Sequence, residues 1–110
     1  MKHSITLTLQ QITDLEAVHT DLITRGDKAY GKASKKAWAA GANRAKARDT
    51  IMSNVRQVWI ETAQQQEAES DELNAEGDRI MAQAAVIHSI ISQIKKNVIH
   101  SIISQIKKNG

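Results

Sequence analysis

Cysteine, proline and phenylalanine are all missing from this chain of 110 residues. Without Cys there are no structural disulfides, no thiolate metal sites and no cysteine nucleophiles. Without Pro, no residue breaks a helix from within by removing an amide donor and clashing with the preceding turn. The aromatics are Tyr30, Trp38 and Trp59 alone, so a monomeric core would hold little bulky apolar volume, and a chain of this size would gain from a second protomer. No stretch approaches the roughly 20 apolar residues of a membrane span. Residues 1–11 carry one Lys and no continuous apolar block, unlike a secretory signal. The expected location is therefore the cytoplasm, with no membrane partner.

What is present is a seven-residue beat. Counting from Met52, the sevens fall on Trp59, Gln66, Leu73, Ile80, Ile87 and Ile94, and a companion row reads Ala63, Ser70, Gly77, Ala84, Ile91 and Val98. Such spacing puts one narrow apolar stripe on a helix, the seam that two helices share in a coiled coil or bundle. Gln66, Ser70 and Gly77 are poor seam residues, so the reading predicts a long helix over Thr50–Lys96 or beyond that is soft between Gln64 and Gly77.

Upstream, Ile5, Leu7 and Leu9 alternate with Thr6 and Thr8, the pattern of a short strand. Thr8 followed by Gln11 reads as a capping box, starting a helix near Leu9 that carries Ile12, Leu15, Val18 and Leu22 on one face. Gly26 is the expected stop and Asp27 the cap of a second helix, Asp27–Arg48, with Ala29, Ala33, Ala37, Gly41 and Ala45 four apart. A small-residue stripe supplies little burial of its own, which leaves this helix dependent on its neighbour. Asp49 or Thr50 would cap the third.

Charge is strongly segregated. Arg25, Lys28, Lys32, Lys35, Lys36, Arg44, Lys46 and Arg48 face only Asp27 in their stretch, whereas Glu61, Glu67, Glu69, Asp71, Glu72, Glu76 and Asp78 share theirs with no base. A turn at Asp49 would set Lys36 near Thr62, Lys32 near Gln66 and Lys28 near Ser70. The blocks would then neutralise each other, fixing register more than stability.

The tail holds a perfect duplication: residues 86–97 read VIHSIISQIKKN, and residues 98–109 repeat them. Twelve residues advance a helix by about 1200°, so the second set of isoleucines points about 120° away from the first. On one straight helix both sets cannot face one neighbour. Either the helix breaks near Asn97, or the second stripe is buried elsewhere, or it is exposed and adhesive. Asn109 and Gly110 would form the terminal cap.

Motifs for chemistry are sparse. Glu16 and His19 have the Glu-x-x-His spacing of carboxylate-bridged metal bundles, but such a site needs a second pair and two more Glu residues. No second pair occurs, and a solvated helix face accounts for this one. His3, His88 and His100 lack ligand or triad partners at a diagnostic spacing. Glu72 and Glu76 lack the apolar setting that would separate their pKa values for acid/base work. Arg25-Gly26-Asp27 matches a cell-adhesion tripeptide, which a chance match at a helix terminus explains. These readings predict no enzyme activity, no cofactor and no small-molecule substrate.

The basic segment is different. Lys28, Tyr30, Lys32, Lys35, Lys36, Trp38, Arg44, Lys46 and Arg48 combine cations with π-faces, which suits a phosphate backbone and stacked bases. Over residues 1–25 the chain also resembles ribbon-helix-helix DNA binders, in which a short strand pairs across a dimer. The resemblance implies that Thr6 and Thr8 would reach the major groove. It departs from that pattern in the second helix, where Ala replaces the larger aliphatics of a dimer core.

The sequence thus predicts an all-α protein, a three-helix hairpin or bundle with one long coiled-coil-like C-terminal helix and a short N-terminal strand. Residues 1–97 form one helical domain and residues 98–110 a duplicated amphipathic tail. The expected role is a non-enzymatic adaptor, inhibitor or assembly subunit. It would oligomerise or dock on a protein through Trp59, Leu73, Ile80, Ile87, Ile91 and Ile94, with nucleic-acid binding by the basic segment as the alternative.

Overall fold

In the computed structural model the backbone is described for residues 2–109, and side chains for residues 6 and 8–109. The proposed cap at Gly110 and the side chains of His3 and Ile5 lie outside the described residues. The described chain is all-α, with two helices, α1 over Lys2–Asp49 and α2 over Ser53–Asn109. It divides into two compact units, one of residues 25–80 and one of residues 1–24 with 81–110.

Two expectations about the first half are corrected. No strand occurs among the described residues, because the backbone of Ile5–Leu9 is already helical. With the strand goes the structural basis of the ribbon-helix-helix resemblance. Nor does Gly26 stop a helix, so three helices become two. Gly26 is buried, and the buried or half-buried positions of α1 recur in sevens through it: Ile12, His19, Gly26, Ala33, Ala40 and Ala47, with Leu15, Leu22 and Ala29 interleaved. A glycine costs a helix interior only about 1 kcal/mol relative to Ala, too little to end a helix whose Leu22 and Ala29 are buried on either side of it. The small residues expected every fourth position are sorted by the same beat. Ala29 and Ala33 are buried, but Ala37 and Gly41 are exposed.

In the unit of residues 25–80 the helices form an antiparallel hairpin whose centre is built of small side chains. Ala29, Ala33, Ala40 and Ala47 of α1 and Ala63, Ser70 and Gly77 of α2 are buried, with Ile80 at its end. The seam positions that looked weak each have a matched partner. Gln66 Oε1 accepts from Asn43 Nδ2 at 2.7 Å, and Ser70 Oγ donates to the Ala33 carbonyl at 2.9 Å. Gly77 lies under the ring of Tyr30, so near that a Cβ there would be 2.6 Å from a ring carbon. Helix α2 therefore runs unbroken through Gln64–Gly77. Burying a polar group costs little once it is hydrogen-bonded.

The connection is Thr50, Ile51 and Met52. Neither Asp49 nor Thr50 caps α2. Asp49 is the last residue of α1, and Thr50 Oγ1 donates backwards to the Lys46 carbonyl at 2.6 Å. The Met52 carbonyl accepts the first α2 bond, from the Arg56 amide at 2.9 Å. The Arg56 side chain clamps the connection, its Nε and Nη2 donating to the Thr50 carbonyl at 3.1 and 2.7 Å. Residues 51–58 are exposed throughout, so pairing starts only at Trp59. That delay moves the register: Lys36 meets Glu69 rather than Thr62, and Ser70 meets Ala33 rather than Lys28.

In the other unit, α1 and α2 again run antiparallel, as Glu16 pairs with Lys95 and His19 stands beside His88. Here the core is aliphatic: Ile12, Leu22, Ala84 and Ile91 are buried, and Leu15, Ile87, Ile94 and Val98 are half-buried. The helix does not break at Asn97.

Candidate functional site

Within residues 25–80 the basic and acidic blocks meet directly. Arg44 forks onto Glu67, Nε to Oε1 at 2.5 Å and Nη2 to Oε2 at 2.9 Å, the bidentate geometry that suits guanidinium and carboxylate. This bond holds the Glu67 carboxyl below its ordinary pKa and raises that of Arg44. Lys36 Nζ lies 2.7 Å from Glu69 Oε2, and its hydrogen bond likewise lowers the Glu69 pKa. Tyr30 donates its hydroxyl to Asp78 Oδ1 at 2.6 Å, which raises the phenol pKa. Lys46 Nζ sits 4.7 Å from the centroid of the Trp59 ring, a cation–π arrangement.

Tyr30, Lys36, Arg44 and Lys46 are thus committed to α2. Of the residues expected to touch nucleic acid, Lys28, Lys32, Lys35 and Arg48 make no ion pair among the described residues, and Trp38 is 79% exposed on the outer face. Among the described residues, clefts open along this hairpin. A smaller one, about 170 Å³, has Arg25, Lys28 and Lys32 on its α1 wall and Leu73, Glu76 and Ile80 on its α2 wall. A larger one beside the connection, about 640 Å³, is lined by Arg44, Arg48, Arg56 and Ile60. The sequence reading missed Arg56, whose isolation from the other bases hid its return to them across the turn.

The residues expected to meet an outside protein occupy inward positions. Ile80 and Ile91 are buried, and Trp59, Leu73, Ile87 and Ile94 are half-buried. Three of them have images in the second repeat copy, and those images are exposed: Ile99, Ile103 and Ile106 are 57%, 44% and 65% exposed, joined by Ile102 at 42%, the image of the equally exposed Ile90. At spacings of three, one and three residues they form one stripe on α2. Leu9, also exposed, holds on α1 the seam-flanking position that Ile102 holds on α2, in the same unit. The rotation of the repeat foretold this stripe; sequence reasoning chose the seam instead because its beat was longer.

Metal chemistry gains no geometry. Glu16 Oε1 is 3.0 Å from Lys95 Nζ, and the rings of His19 and His88 are 5.6 Å apart and tilted by 42°. Among the described residues no group of three or more His, Asp or Glu side chains converges to hold an ion, and no helix is long and apolar enough to cross a membrane. Compared with known proteins, the chain matches no family model, and neither a curated protein nor a solved structure is similar to it.

Proposed function

We propose that this is a non-enzymatic interaction protein, an assembly subunit or adaptor, which self-associates through the stripe Ile99, Ile102, Ile103 and Ile106. The observation that carries the reading is the exposure of four isoleucines on one face of a continuous helix. A patch of this kind on a small protein marks a contact surface. A second copy of the chain is the occupant because the stripe is self-complementary. Two antiparallel helices related by a two-fold axis place Ile99 opposite Ile106 and Ile102 opposite Ile103, the same patch on both sides. Ile80 and Ile91 then serve the fold, and the partner role passes to the duplicated copy.

Lys96, Lys107 and Lys108 border the stripe, and no acid follows Asp78. Association would bring like charges together, so added salt should strengthen it. Sedimentation equilibrium from dilute to concentrated protein, at low and high salt, tests the reading. The expected result is a concentration-dependent dimer that salt favours and that the double substitution Ile102→Asp, Ile106→Asp abolishes without loss of helicity. A native chain that stays monomeric throughout overturns it.

The second reading, nucleic-acid binding by the basic segment, is favoured by the arginine-lined cleft and by Lys28, Lys32 and Lys35, which keep their charges free of ion pairs.

A further inference from the structure

Three arginines, Arg44, Arg48 and Arg56, line one cleft beside the helix connection. Like charges gathered this way repel and raise the local positive potential, a cost that an anion relieves. Only Arg44 has a carboxylate partner, Glu67, and that bond uses its Nε and Nη2, leaving Nη1 free to donate. Arg56 is held by its two bonds to the Thr50 carbonyl, which likewise leave its Nη1 available. Arg48 makes no ion pair among the described residues, and neither does Asp49 beside it in sequence. The start of α2 and the end of α1 lie together at this turn, so their opposed dipoles offset and the attraction rests on the side chains.

We propose that this cleft binds a phosphate group, with Arg48 as the mobile donor and Arg44 and Arg56 as the fixed ones. Guanidinium groups match phosphate oxygens with paired N–H donors, and donors already held in place lose less freedom on binding. Ile60 supplies an apolar wall, which suits the sugar or base attached to a phosphate better than a second phosphate. The inference is independent of the isoleucine stripe. It narrows the nucleic-acid reading to three side chains, and the experiment separates the two.

Binding is measured with a fluorescently labelled single-stranded oligonucleotide and, separately, with pyrophosphate by calorimetry, both at low salt. The substitutions are Arg48→Gln alone, Arg48→Gln with Arg56→Gln, and, as a charge-matched control elsewhere on the hairpin, Lys28→Gln with Lys35→Gln. A bidentate phosphate contact is worth enough that the arginine pair should weaken binding by about tenfold or more, and the control pair by about twofold or less. Arg48→Gln carries the test if loss of the Arg56 clamp loosens the turn, because Arg48 has no bond to break. If pyrophosphate binds and displaces the oligonucleotide, a free phosphate compound is the ligand; if only the oligonucleotide binds, the source is a nucleic-acid backbone. Equal losses from the arginine and lysine pairs overturn the cleft while leaving diffuse nucleic-acid binding standing. Absence of binding to both probes overturns both.

Discussion

Residues 86–97 and 98–109 are the same twelve side chains in the same order on the same helix, yet their environments differ. Ile91 is 5% exposed and its image Ile103 is 44% exposed; Ile94 is half-buried and its image Ile106 is not. Composition, propensity and hydrophobicity are identical, so position separates them: the phase of the helix and the stretch of α1 that lies opposite. A twelve-residue unit is two residues short of two heptads, and that remainder turns the second stripe off the seam.

Substitution exposes the contrast most strongly. Ile91→Ala should cost about 2 to 3 kcal/mol, the transfer and cavity penalty of a buried isoleucine, whereas Ile103→Ala should cost under about 1 kcal/mol. Thermal melts of dilute protein compare the two, and equal losses would mean that the copies are equivalent after all. A second test removes the phase difference itself. Inserting two alanines after Asn97 lengthens the unit to two heptads and returns the second isoleucines to the seam. Self-association should fall by about tenfold or more if their exposure drives it, read as mass against concentration.

The other unit offers its own matched comparison. Gly31 and Gly41 have nothing within 4 Å of an added Cβ, so Ala at either should stabilise by about 1 kcal/mol, or roughly 4 °C in Tm. Gly77→Ala makes the same gain in propensity but must expel the Tyr30 ring. Its melting temperature should fall, and the Tyr30 bond to Asp78 should be lost from the ultraviolet difference spectrum.

The smallest effect is that of pH. Because Glu67 and Glu69 are held below their ordinary pKa, their contribution is present above the unfolded value near ~4.3 and disappears as pH falls through the lower folded values. Tyr30 acts in the opposite direction: its raised pKa makes its contribution full below about 10 and lost as pH rises through the folded value. The joint contribution of these three side chains should therefore be flat between these limits and fall away outside them, as chemical denaturation of the native chain against Glu67→Gln and Tyr30→Phe at a series of pH values would show.

Helical content and the inner stripe of α2 were legible because large aliphatics at sevens admit few other readings. The partner stripe on α1 was not. Its later members are Gly26, Ala29, Ala33, Ala40 and Ala47, which carry no hydropathy contrast, and local stop and cap rules outvoted a beat that only the facing helix makes visible. The matched pairs Asn43 with Gln66 and Ser70 with the Ala33 carbonyl needed a register that the turn rules did not supply. The arginine cleft required the same missing information, since Arg56 joins Arg44 and Arg48 only after the chain has reversed.

An unbroken rod that grows by twelve residues at a time re-aims each new increment by a third of a revolution, about 120°. Three successive units would point to the corners of a triangle, and a fourth would align with the first. Tract length in this chain is therefore a steering variable. Replication slippage, with no change in the chemistry of the unit, would alter how many neighbours the helix can engage and in which directions they lie.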